Sequence, residues 1–185
     1  MQEKPPAFGF LLVTVDPTLN SGRKGCAWHL VRDRLTAGRW PLFERTPGRG
    51  QIAAESRVAF YVGGRDKYAG SVVAIATVAR KVSWSAARGR IDPPRFDTEL
   101  PEQVLTLSGL QYLHPSVSFR ETLPRLTFCP VNMQKWGAVL LGGVRALSEV
   151  DWGLLFDGTS LKDEPHFGHA DGSAVGVKGS PAEVS

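Results

Sequence analysis

The chain has 185 residues, 42% of them apolar, with 22 Lys and Arg against 18 Asp and Glu; this suits one domain of about 150 residues plus tails, not two cramped cores. No apolar run approaches the ~20 residues of a membrane span, and the opening MQEKPPAFGF lacks the charged-then-apolar layout of a secretory signal. Two cysteines, Cys26 and Cys129, are too few for a disulfide scaffold or a thiolate zinc site, so the expectation is a cytoplasmic protein with reduced, mostly buried thiols and no membrane attachment.

Residues 8–15, FGFLLVTV, read as a buried first strand that Asp16-Pro17 stops. A polar loop follows. In CAWHLVRDRLTAG, Trp28, Val31 and Leu35 fall on one helix face and Gly38 ends the helix. Trp40-Pro41 comes directly after, placing Trp40 at a helix exit. ERTPGRGQ (44–51) is a basic loop. RVAFYVGG (57–64) reads as a strand, GRDK as a hairpin turn, and residues 68–84 as a long strand whose small and branched residues suit a curved sheet. Residues 103–113 alternate well enough for another strand, with Pro115 as its end. Asn132 caps a short turn through Trp136. Residues 140–147 read as a strand bulged at Gly142-Gly143, and Ser148 to Asp151 is a capping-box pattern opening a last helix. The boundaries are a domain over residues 1–156 and a flexible C-terminal tail over 157–185, poor in apolar residues.

Most catalytic chemistry lacks a pattern. His29, His114, His166 and His169 are scattered, and no metal or other cofactor is expected. There is no phosphate loop and no G-x-S-x-G elbow. Cys129 with His114 is a weak pairing for nucleophile and base, and the carboxylates are spread singly. The charge distribution says more. Residues 1–100 carry 16 Lys and Arg against 9 Asp and Glu, and residues 101–185 carry 6 against 9, so the first half attracts polyanions. A solvated arginine-rich surface explains this equally well until the aromatics are placed.

Five tryptophans stand at 28, 40, 84, 136 and 152. Trp28 and Trp152 lie on apolar helix faces and read as core. Trp40 and Trp84 each sit where an element gives way to a loop, the place where pockets are built, and an indole there offers a face for base stacking. Tyr61, in a strand, fits core and pocket equally.

The order strand, polar loop, helix, tryptophan, followed by RVAFYVGG and YAGSVVAIATV, resembles the EVE and YTH branch of the PUA-like superfamily. WPLFERTPGRGQIAAESRVAFYVGG is similar to EVE-type sequences, and LGGVRALSEVDW to the closing strand and helix of that fold. The resemblance covers roughly residues 8–155. It implies an α+β fold, a PUA-like curved β-barrel sheet flanked by helices, with a pocket for a flipped base whose modification meets aromatic walls. By position, Trp40 would form one cage wall and Trp84 a second, and Val15, Asp16 and Asn20 would contact the base edge. The chain departs from the commonest EVE pattern, W-x-G-V-R-N, carrying Trp28-His29-Leu30-Val31-Arg32-Asp33 instead. The G-x-K-x-x-E-x-R pattern of ASCH hydrolases is absent.

The leading expectation is therefore a non-enzymatic reader of a modified base, DNA favoured over RNA, with Arg39, Arg45, Arg49 and Arg65 on phosphates. Related domains serve modification-dependent restriction systems, which implies a nuclease encoded separately or fused in relatives. Two other classes stay open: a small enzyme acting on modified nucleosides or RNA through Asp16 or Glu55, and a protein-interaction module whose basic surface is incidental.

Overall fold

The computed structural model describes residues 7–18, 22–84, 101–140 and 143–163. The first apolar run forms β1 (Gly9–Thr14), hydrogen-bonded in parallel to β3 (Arg57–Val62) and antiparallel to β6 (Val144–Leu147). A strand flanked on both edges and packed on both faces must be apolar throughout, which explains its continuous hydrophobic run. The helix α1 (Ala27–Thr36) buries Ala27, Trp28, Leu30, Val31 and Leu35. It ends where Gly38 takes φ +63° and donates its N–H to the Leu35 carbonyl.

The chain then re-enters the sheet at once. Residues 39–42, read as a helix exit, form β2 (Arg39–Leu42), paired antiparallel with β5 (Gln103–Ser118). Pro41 is tolerated because β2 is an edge strand. With β4 (Ser71–Ser83) the strand order is β2-β5-β4-β3-β1-β6. The ladder between β4 and β5 shifts register at three places, and each such irregularity bends the sheet. The result is a curled mixed half-barrel carrying three helices among the described residues.

Two expectations about strand ends fail. Pro115 does not stop β5: the β4 register jumps from Val72–Val117 to Ala74–Tyr112, so the stretch around Pro115 owes β4 no N–H. Residues 160–162 belong to a strand, β7 (Ser160–Lys162), which pairs with β5 at Tyr112–His114. The rest of the expected tail, from 164 on, lies outside the described residues.

After β5 come a one-turn helix, α2 (Phe119–Thr122), and a 3₁₀ segment (Met133–Leu140) in which Asn132 Oδ1 accepts from the Gln134 N–H at 2.9 Å. The last helix, α3 (Glu149–Phe156), opens on the expected capping box between Ser148 and Asp151. Asp151 is buried and also accepts from the Thr127 N–H and hydroxyl, both at 2.7 Å. Burial pushes its carboxyl pKa up, but the hydrogen bonds from Ser148 and Thr127 outweigh that and hold it below the usual value. The seam between β2 and β6 is bridged by residues 43–52. Gly48 packs on Val144, and Lys81 Nζ donates to the Arg49 and Ile52 carbonyls at 2.8 Å.

The two sheet faces hold separate cores. Phe10, Leu12, Trp28, Trp40 and Phe60 pack on the α1 side. Leu11, Tyr61, Phe119, Leu155 and Phe156 pack on the other. Phe60 and Tyr61, adjacent on β3, point to opposite faces as strand geometry requires.

Candidate nucleic-acid interface

Where β1 and β3 end side by side, the Gly63 N–H donates to the Thr14 carbonyl at 2.7 Å. Gly64 follows with φ +86°, and a Cβ there would run into the Asp16 carboxylate. This turn leaves a groove of about 520 Å³. Val13 and Val15 come from the end of β1, Tyr61 from β3, Ser118 and Arg120 from the β5–α2 junction, and Trp136 and Leu140 from the 3₁₀ segment. Val15 is 64% exposed.

Tyr61 is only 4% exposed and meets Phe119 edge-on, with ring centroids 5.4 Å apart. Burial pushes its phenol above the ordinary value, so the hydroxyl stays protonated at neutral pH. Trp136 is half-buried, its ring 6.4 Å from that of Phe119. Arg120 is exposed. The lining holds no carboxylate. A second groove, of about 800 Å³ along β6, sets Glu149 and Asp151 beside Arg145, a balance of charge that suits a polyanion less well.

The structure brings Val15 and Tyr61 together as expected of base contacts, and places the other candidates elsewhere. Trp40 is a correction. Its ring is 3% exposed in the α1-side core, 4.7 Å from the Phe60 centroid with the Arg34 guanidinium 5.0 Å over it, and it lines neither groove. The pairing of β2 with β5 turns it inward, because position 40 lies opposite buried Leu105. Trp84 is half-buried at the end of β4 remote from the groove, its N–H donating to the Glu102 carbonyl at 2.8 Å. Asp16 Oδ1 accepts from the Ala27 N–H at 2.9 Å, closing the α1 N-terminus that Cys26 leaves without a side-chain cap. Asn20 lies outside the described residues.

Among the arginines, Arg65 stands exposed in the turn beside Gly64. Arg39 is half-buried at the start of β2 and Arg45 exposed in the seam loop. Arg49 is paired with Glu102 at 2.6 Å, which neutralises it as a phosphate contact. Glu55, a candidate acid, is exposed in a turn at φ +65°. Cys129 Sγ lies 3.6 Å from Met133 Sδ. Among the described residues no cluster of three His, Cys, Asp or Glu side chains forms, and no helix is long and apolar enough to cross a membrane. His166 and His169 lie outside them.

Sequence reasoning missed Trp136 and Arg120. The signal for Trp136 was its place in a capped turn next to Gly137, a tryptophan with no helix face to bury it. The arrangement offers an indole, a neutral phenol and a rim cation around a space large enough for a heterocycle. In comparisons with known proteins, the chain matches no family model and no curated sequence.

Proposed function

We propose that the chain is a nucleic-acid-binding module that holds one modified base, in DNA in preference to RNA, in the groove between the β1 and β3 ends and the 3₁₀ segment. The observation that carries this reading is the convergence of Tyr61 and Trp136 on an apolar, acid-free groove of about 520 Å³ with Arg120 at its rim. Trp136 takes the stacking role that Trp40 cannot fill. The EVE-like resemblance of the sequence supports the same reading. Arg120 and Arg65 contact phosphates next to the base. A module of this kind recognises without cutting, and so serves a nuclease encoded separately or fused.

Matched single-stranded and duplex oligonucleotides carrying methylated, hydroxymethylated, carboxylated or unmodified bases test it. At least one modification is expected to bind tenfold or more tighter than its parent base. Trp136→Ala should weaken that oligonucleotide by about 10- to 100-fold, the value of one base stacked on an aromatic ring. Equal binding of every base, with Trp136→Ala unchanged from wild type, sinks the reading.

A further inference from the structure

The inventory of hydrogen-bonding groups in the groove is one-sided. Its lining contains no Asp, Glu, Asn or Gln. The nearest carboxylate, Asp16, is occupied with the Ala27 N–H. Three backbone groups there are already spent: the Gly63 N–H on Thr14, the Gly70 N–H on Val62, and the Gly70 carbonyl on the Phe119 N–H. What remains for a ligand are the guanidinium of Arg120 and the hydroxyls of Ser118 and Tyr61.

Tyr61 is the telling member. Its side chain is 96% shielded by apolar neighbours, yet its hydroxyl makes no hydrogen bond to any described residue. A buried phenol left unpaired carries a desolvation penalty that a ligand atom would relieve. Because burial raises its pKa, it meets that ligand as a donor throughout the physiological range.

Resting on the function proposed above, we infer that the groove selects an acceptor-rich base: a pyrimidine presenting carbonyl or carboxylate oxygen to Tyr61 Oη, with Arg120 favouring added negative charge. Bases whose modified edge is a methylated amine find no acceptor in the lining. Their N–H would go unpaired in an apolar site, an arrangement that selects strongly against them.

The test uses the intact chain and trinucleotides whose central residue is 5-carboxylcytosine, 5-methylcytosine, uracil, N6-methyladenine or N4-methylcytosine, followed by Trp fluorescence. The expected order places 5-carboxylcytosine and uracil at least tenfold ahead of the two amine-methylated bases. Tyr61→Phe should lower affinity for uracil about tenfold or more. It should leave the amine-methylated bases unchanged and the melting temperature at or above the wild-type value, since the lost hydroxyl bonds nothing in the free protein. Arg120→Gln should abolish the advantage of 5-carboxylcytosine over uracil. Tighter binding of the methylated amines, or a Tyr61→Phe loss equal for all five probes, overturns the inference while leaving base recognition standing. Absence of any discrimination removes base recognition itself.

Discussion

Two tryptophans on opposite faces of one sheet separate packing from recognition. Trp40 is reached by a strand that docks directly on β5, and α1 closes over it with Arg34 laid across the ring. Trp136 stands on a 3₁₀ segment that crosses the other face and stops short of the β1 and β3 ends, so its indole borders open space. Regular secondary structure covers the first face, while a loop-borne segment covers the second incompletely. An aromatic ring becomes a binding surface only where the layer over it ends.

The buried hydroxyls repeat the contrast. Thr14 Oγ1 is sealed with no partner; by strand alternation it shares the α1 side with Phe10 and Leu12. Tyr61 Oη, unpaired on the other side, borders the groove. The first is an uncompensated penalty, and the second a penalty that a ligand can remove.

Substitutions can break this contrast, the largest effect first. Trp40→Ala should destabilise the fold by about 3–5 kcal/mol in denaturant titration, the cost of emptying a packed aromatic site. A loss under 1 kcal/mol would mean that the α1 face is not sealed. Asp151→Ala, on the other face, should cost on the order of 3 kcal/mol by leaving Thr127 and Ser148 donors without their acceptor. Because the folded carboxyl lies below its unfolded value of about 3.9, its contribution is full above that pH and vanishes as pH falls through the lower, folded value. Asp151→Asn should therefore flatten the loss of stability below about pH 4, and an unchanged acid limb would contradict the network. Thr14→Val should stabilise by up to about 1 kcal/mol without touching ligand binding, since it deletes an unpaired hydroxyl of similar shape. A destabilisation instead would reveal a partner for Thr14.

Much of the architecture was legible because local signals and tertiary demands agreed. The β1 run, the α1 face ended by Gly38 and the Ser148–Asp151 box each state locally what the fold requires. Trp40-Pro41 was misread because proline next to a helix end looks like a loop. Only the distant β5 makes those residues a strand. Pro115 misled in the same way, its strand surviving because the β4 ladder skips that stretch. In the site, Val15 and Tyr61 were placed by strand register. Trp136 joins them through the long-range docking of residues 127–140 against Phe119, which no periodicity announces.

The position of β1 also bears on synthesis. Gly9 emerges among the first residues, yet one of its edges is completed only when Leu147 arrives, roughly ten seconds later at ~5–20 residues per second. Through that interval a wholly apolar strand carries an open hydrogen-bonding edge, the feature that templates aggregation. Ribosome-bound chains arrested before residue 144 should be trapped by holdase chaperones and cleaved readily near β1, and chains released beyond residue 163 should not. Equal protease resistance in both would show that β1 needs no closure from β6.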